Sequence, residues 1–210
     1  MSQPLHFPPD YSETRVVKDG TEIGLRLLRP HDRDVLAKGF EELSAESRYT
    51  RFFSPMSKLP EKILEKMLET DDWNHLAIVA FRKEDGKGLA TGRFIRLAGE
   101  PEVAEFAVAV IDSMQGRGLG KLLLGLVARA ARERGITRFR AHVLAGNDAM
   151  ITLLRELDPT LDATSDGRSI TYDLDLPEMT DEASSSGPIF DLLRAAGRGL
   201  DVLLQSLRSG

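Results

Sequence analysis

Hydrophobic positions along this chain change their period several times, and each change marks an element. Val16 and Val17 precede Asp19-Gly20, a strong turn dipeptide, and Ile23, Leu25 and Leu27 then alternate. That pattern predicts a hairpin from Arg15 to Arg29, stopped by Pro30. Spacing by three and four follows. Val35, Leu36, Phe40 and Leu43 predict a helix beginning near Asp32; Ser44 is a cap type for a second helix through Ser47, Tyr49 and Phe52. Pro60 suits the first turn of a third, with Ile63, Leu64, Met67 and Leu68 on one face. The period then returns to strand-like runs at His75 to Arg82, Leu89 to Leu97 and Val103 to Ile111, an antiparallel meander. Leu119 to Arg134 is an unbroken helix former closed by Gly135. Arg138 to Leu144 reads as a buried strand. Asn147 caps a helix through Met150, Ile151, Leu154 and Leu157. Asp166-Gly167 turns a last hairpin that returns through Ile170, Tyr172, Leu174 and Leu176. The strand–helix–strand order around Leu119 to Arg134 predicts a right-handed crossover between parallel strands. The fold class expected is α/β (α+β), one domain over residues 15–176.

The flanks read differently. Residues 1–14 hold three of the ten prolines and no periodicity, and are expected to be a loose leader. Residues 177–188 are acidic and Ser-rich, a linker composition. Residues 189–208 return to helical spacing, with Ile189, Leu193, Ala196, Leu200, Leu203 and Leu207 on one face. That face is expected to dock on the domain, to form a homodimer or to bind a partner. Its few basic residues, Arg194, Arg198 and Arg208, make a membrane-surface role weak.

Composition narrows the function classes. The 210 residues contain no cysteine, which excludes disulfides, thiolate metal clusters and a cysteine nucleophile. No apolar run approaches about 18 residues, and the N-terminus lacks a signal-peptide pattern, so a cytoplasmic protein is expected. A formal net charge of −5 without a basic run argues against nucleic acid as the main partner.

The most informative stretch is Gln115-Gly116-Arg117-Gly118-Leu119-Gly120, between a strand and a long helix. Glycines there let the backbone approach a ligand, and the free N–H groups of a helix start suit a phosphate. Arg117 and Lys121 could add positive charge; the alternative is a flexible turn with no ligand. A Walker A reading fails, because Leu122 follows Gly120-Lys121 and Gln115 stands where its first glycine belongs. A dinucleotide fingerprint fails as well, because Lys121 or Leu123 occupies the third glycine position.

Glu105 is the candidate carboxylate. The even positions of its strand, Ala104, Phe106, Val108 and Val110, are the larger residues and should face the core. The odd positions hold Glu105, Ala107 and Ala109, a carboxylate with small neighbours. The structural alternative is an exposed face or a salt bridge to an arginine on the next strand, such as Arg93. The four histidines, His6, His31, His75 and His142, have no metal-ligand spacing and are read as structural or surface residues, with His142 nearest the ligand strand; no metal is expected.

Gln115, Gly118 and Gly120 match the pyrophosphate loop of the GNAT N-acetyltransferases, and the order of elements over residues 15–176 resembles the whole GNAT fold. Glu46 to Phe53, Ala104 to Val108 and Gln115 to Gly120 are similar to the acetyltransferase domain of bacterial Pat-type protein lysine acetyltransferases. Those proteins usually carry an added regulatory domain, for which this chain is too short. The resemblance implies a mixed, mostly antiparallel sheet with flanking helices and two parallel strands that splay at the cofactor. It implies acetyl-CoA as cosubstrate, held by Gln115, Gly116, Arg117, Gly118, Leu119, Gly120 and Lys121. Backbone of Val108, Ala109 and Val110 would contact pantetheine and supply an oxyanion donor, and Asn147 would contact coenzyme A. It implies Glu105, ten residues before Gln115, as general base. The family's general-acid tyrosine position holds Leu154, so no general acid is assigned. Arg48, Arg51, Phe52 and Phe53 either line the acceptor cleft or pack an amphipathic helix. The implied reaction is direct acetyl transfer to an amine, a protein lysine before others. A small-molecule amine acetyltransferase and a non-catalytic acyl-CoA-binding module remain the alternatives.

Overall fold

The structure, a computed structural model, describes residues 5–158 and 160–176. The expected linker 177–188 and the amphipathic helix 189–208 lie outside the described residues. The described strands are β1 Ser12–Val16, β2 Glu22–Leu27, β3 His75–Arg82, β4 Gly88–Leu97, β5 Glu100–Val110, β6 Arg138–Leu144, β7 Ala163–Ser165 and β8 Ser169–Asp175. The helices are α1 Arg33–Glu41, α2 Ala45–Phe52, α3 Glu61–Leu68, α4 Leu119–Arg132 and α5 Asp148–Leu157. They form one sheet in the order β1-β2-β3-β4-β5-β6-β8-β7. Every pairing is antiparallel except β5 with β6. The antiparallel meander and the parallel crossover expected from the hydrophobic pattern, and the mixed, mostly antiparallel sheet implied by the resemblance, are observed. No helix among the described residues is long and apolar enough to cross a membrane.

Strand alternation sorts the side chains onto two faces. One face carries Leu76, Ile78, Phe94, Phe106 and Phe139, which join the buried face of α4 in the larger core. Phe106 stacks on Phe139 at 5.1 Å between ring centroids. The opposite face is smaller: Ala77 and Val79 meet Leu28, Leu36 and Leu64 beneath the helices before β3. Glu105, Ala107 and Ala109 belong to this second face, beside Ile95, Arg93 and Thr91 of β4 in register.

Two details depart from the sequence expectation. Residues 5–11 are not loose, because Phe7 and Tyr11 are buried in the main core with rings 4.7 Å apart. The end of α4 holds this segment. The Glu133 carboxylate accepts from the backbone N–H of His6, and Arg134 Nη2 donates to the Phe7 carbonyl at 2.9 Å. No periodicity announces such an anchor, because it rests on two isolated aromatics and on partners more than 120 residues away. The second departure is Asp32. It stands before α1 but makes no side-chain cap. Its buried carboxylate instead accepts from Arg26 at 2.5 and 2.6 Å and from the Arg29 N–H at 2.8 Å. Burial would raise the Asp32 carboxyl, and these hydrogen bonds overcome it to hold the group below its ordinary range.

Two outcomes are expected. Phe7→Ala should destabilise the fold by about 3–5 kcal/mol in denaturant unfolding; a loss under about 1 kcal/mol would mean that the segment is not part of the core. Because Asp32 titrates lower when folded than unfolded, its stabilisation is complete above the ordinary carboxyl range near pH 4 and is lost as pH falls through the folded value. Melting curves from pH 7 to pH 2 should show a shallower acid limb for Asp32→Asn than for the parent; parallel limbs would count against this.

Candidate active site

The β5–β6 ladder is unusually short for the strands that make it. Only Val103, Ala104 and Glu105 pair, with Arg138, Phe139 and Arg140. Both strands continue, β5 to Val110 and β6 to Leu144, without pairing to each other. The parallel strands therefore diverge after Glu105, and a cleft of about 500 Å³ opens between them. Phe106, Ala107 and Val108 form one wall, and Ala141, His142 and Val143 the other. Asn147 and Met150 of the α5 region close one side, and Thr50 to Phe53 reach over from α2. Backbone groups on the diverging edges lack the sheet partner they would otherwise have, so an extended polar ligand could complete them.

At the far end of β5 the chain makes a 3-10 turn, Asp112–Met114, and enters the glycine loop. Gly116 has φ +71° and Gly118 φ +87°. Glycine adopts this left-handed conformation without the Cβ clash of other residues. Gly118 directly precedes α4, whose first N–H groups have no acceptor within the helix. Glycine loop and helix start thus present donors beyond the C-terminal end of β5, the strand whose Phe106 to Val108 wall the cleft.

The side chains expected to assist sort themselves in three ways. Gln115 folds back, its Nε2 donating to Ser47 Oγ at 3.2 Å and to the Val110 carbonyl at 3.3 Å, and so ties the loop to α2 and β5. Arg117 is turned to Asp19 in the β1–β2 turn, where the two form an ion pair. Lys121 lies 3.7 Å from Glu156. Leu119 is buried in the core and contributes only backbone. Lys18, which carries no sequence signal for this site, comes within 3.7 Å of where a Cβ on Gly118 would stand. Asn147 caps α5, its Oδ1 accepting from the Met150 N–H at 3.2 Å, and it also lines the cleft. Its amide nitrogen is the end available to a ligand.

Glu105 stands at the vertex of the divergence, exposed to the cleft. The salt bridge to Arg93 considered from sequence does not form: Arg93 is opposite Ala107, and no ion pair of Glu105 within 4.0 Å occurs among the described residues. Ile95, directly across β4 from Glu105, is 44% exposed, and Phe53 is 39% exposed. Phe53 ends α2 at φ +59° and lines the same cleft. Arg48 is absorbed structurally, donating to the carbonyls of Phe40, Glu41 and Ser57. Phe52 packs its ring on Phe40 at 5.5 Å. Arg51 enters the cleft. His142 also lines it and meets Thr171 Oγ1 at 3.1 Å. Leu154 is fully buried. Among the described residues, no group of three or more His, Asp or Glu is arranged to hold a metal.

Comparison with known proteins agrees with this geometry. Residues 40–158 match the acetyltransferase (GNAT) family. Acetyltransferase Pat of Mycolicibacterium smegmatis is 32% identical over 182 residues, 87% of this chain and 54% of that protein. The chain thus spans about half the length of that curated relative. An acetyltransferase of Pseudomonas aeruginosa is 29% identical over 134 residues, 63% of this chain and 72% of its own. Among solved structures, the GNAT domain of S. lividans PAT superposes with a TM-score of 0.72 at 30% identity, over 83% of this chain and 99% of that one. A cAMP-binding acyltransferase from Mycobacterium smegmatis gives 0.58 at 28% identity, over 90% of this chain and 54% of its own. The divergent parallel strands, the glycine loop between them and these likenesses lead to one conclusion: the chain belongs to the GNAT acetyltransferase family.

Proposed function

We propose that this protein transfers an acetyl group from acetyl-CoA to a lysine side chain of a protein, by direct attack within a ternary complex. The observation that carries the reading is the end of the β5–β6 ladder at Glu105 and Arg140. It leaves a cleft with a phosphate-type loop at one end and a carboxylate at the other.

In this reading the backbone of Gly116 to Lys121 receives the pyrophosphate, where helix dipole and free N–H groups favour negative charge. The edge of β5 at Val108, Ala109 and Val110 pairs with the pantetheine amides. Asn147 Nδ2 reaches the coenzyme from the opposite wall. The thioester then lies near Ala107, within reach of Glu105. A lysine ammonium must lose a proton before it attacks. Glu105 takes that proton, directly or through water. The amine nitrogen bonds to the thioester carbon, and a β5 backbone N–H donates to the oxyanion. The C–S bond breaks, the attacking nitrogen gives up its second proton to water, and the leaving thiolate takes one from water to become the thiol. No side chain is assigned as acid for that step. With no cysteine in the chain, an acetyl-thioester enzyme has no residue to form on.

Exposed Phe53 and Ile95 beside Glu105 favour lysine. Their apolar surface suits the four-carbon stem while the carboxylate suits the cationic head. The sequence likeness to Acetyltransferase Pat supports the same acceptor class. One observation favours a second reading, acyl-CoA binding without turnover: Leu154, at the position of the family's acid, is sealed in the core.

Glu105→Gln should lower kcat about 10²–10⁴-fold at neutral pH while leaving the acetyl-CoA dissociation constant within about threefold. Unchanged turnover removes Glu105 as base, and binding without turnover of any amine by the parent selects the second reading. Gly118→Val forces a branched side chain into the left-handed region, at a cost of about 1–3 kcal/mol. Calorimetry should find acetyl-CoA affinity weakened at least about fivefold; undiminished affinity would argue against the loop as the pyrophosphate site.

A further inference from the structure

Charge balance beside the cleft is unusual. Arg93, on β4, is 5% exposed, yet among the described residues its only hydrogen bond is from Nη1 to the Met67 carbonyl at 3.3 Å, and Nη2 has no partner there. Arg51 approaches the same region from α2. It makes no ion pair within 4.0 Å among the described residues, and its guanidinium lies over Phe52, 5.0 Å from the ring centroid. Several other arginines of the domain are matched, although Arg129 on α4 is likewise buried with an unpartnered Nε. Arg26 has Asp32, Arg140 has Asp173 and Glu100, and Arg134 donates to three backbone carbonyls. A buried cation without a counter-charge is costly unless an anion completes it.

The position of the pair says which anion. Arg51 lines the acyl-transfer cleft and also a narrow apolar cavity of about 50 Å³ behind it. Met67, which receives the Arg93 hydrogen bond, lines that cavity as well. Ala107, the strand partner of Arg93, lines the cleft. Arg51 thus borders both spaces, and Arg93 lies on the sheet face of Ala107 and Ala109, near enough to Arg51 to feel its charge. An acceptor approaches from the open side, at Phe53. In the acyl-transfer reading, the acyl chain is what extends past Ala107.

We infer that Arg51 and Arg93 form a carboxylate-binding subsite for the far end of the acyl group, and that the protein accepts dicarboxylic acyl thioesters of the malonyl or succinyl class. The inference rests on the acyl-transfer reading above. The chemistry is unchanged: Glu105 takes the ammonium proton, the amine nitrogen bonds to the thioester carbon and gives its second proton to water, and the C–S bond breaks to a thiolate that water protonates. The distal carboxylate takes no part except to bind. Burial first, and the like charge of Arg51 second, pull the Arg93 guanidinium down to about 9, as expected of a cation awaiting an anion. Arg51 is also lowered by burial, and the Glu105 charge only partly offsets this.

The test is calorimetric titration of the full chain with acetyl-CoA and succinyl-CoA, on the parent and on Arg93→Met and Arg51→Met. The parent should bind succinyl-CoA at least about tenfold more tightly than acetyl-CoA, the scale of one charge-assisted contact. Arg93→Met should erase that preference while acetyl-CoA affinity stays within about twofold, and Arg93→Lys should restore part of it. Melting temperature of Arg93→Met should hold or rise, because an unpaired buried charge has gone; should it fail to fold, Arg51→Met carries the same comparison of the two ligands. Equal affinity for both thioesters in the parent overturns the inference, as does equal weakening of both in the variants. A pair that instead serves an acceptor carboxylate would be seen as competition by free amino acids with no succinyl preference, and that also overturns it. If no acyl-CoA binds at all, the acyl-transfer reading fails first and takes this inference with it.

Discussion

Backbone hydrogen bonding between two parallel strands decides this molecule's character. β5 and β6 are neighbours for three residues and then part, although both remain extended. In an ordinary sheet such parting would leave N–H and C=O groups unpaired, an arrangement folded proteins avoid. Here the two edges face a cleft, and everything around it is organised by that opening. α4 must start where β5 stops, which puts its unpaired N–H groups beside the opening. Glu105, as the last paired residue, must stand at the vertex. α2 crosses above Ala107, while residues of α1 and α3 share a cavity with Ala109.

Electrostatics follows the same geometry rather than the overall charge. A net charge of −5 says little, since charged groups here are mostly consumed in local pairs. Arg117, expected at the phosphate, is neutralised by Asp19. Arg140 is held between Asp173 and Glu100 on the two strands that flank β6. Some of the charges without an ion pair within 4.0 Å among the described residues lie at the cleft: Glu105 exposed at its vertex, and Arg51 with Arg93 nearby. His75, whose Nδ1 meets the Glu69 carbonyl at 2.6 Å, is held below its ordinary range by burial and then by Arg93. The same positive pair is thus felt by the strand on its other side.

Much of the architecture was legible because it depends on local rules. The run His75–Arg82 and the run Arg138–Leu144 are strands with those limits, and Ser44 and Asn147 cap the helices they were expected to cap. The parity of Glu105, Ala107 and Ala109 followed from a period of two. Other features were silent. Phe7 lies in the core through bonds to the end of α4, and Asp32 passes over its own helix to hold Arg26. Neither is a pattern of neighbours in sequence. Lys18 meets Gly118 because two turns lie at one edge of the sheet, and a turn's composition does not say which other turn it will touch.

The sequence by itself determined the elements, the faces of the strands and the glycine loop with its family likeness, because turn chemistry, capping and periodicity act over a few residues. Only the tertiary structure decided that β5 and β6 separate after Glu105, that Arg93 faces Arg51 and not Glu105, and that Gln115 and Arg117 spend their side chains on the fold. Those outcomes depend on which backbone edges and which charges meet across the sheet, and such meetings are set by packing between distant segments.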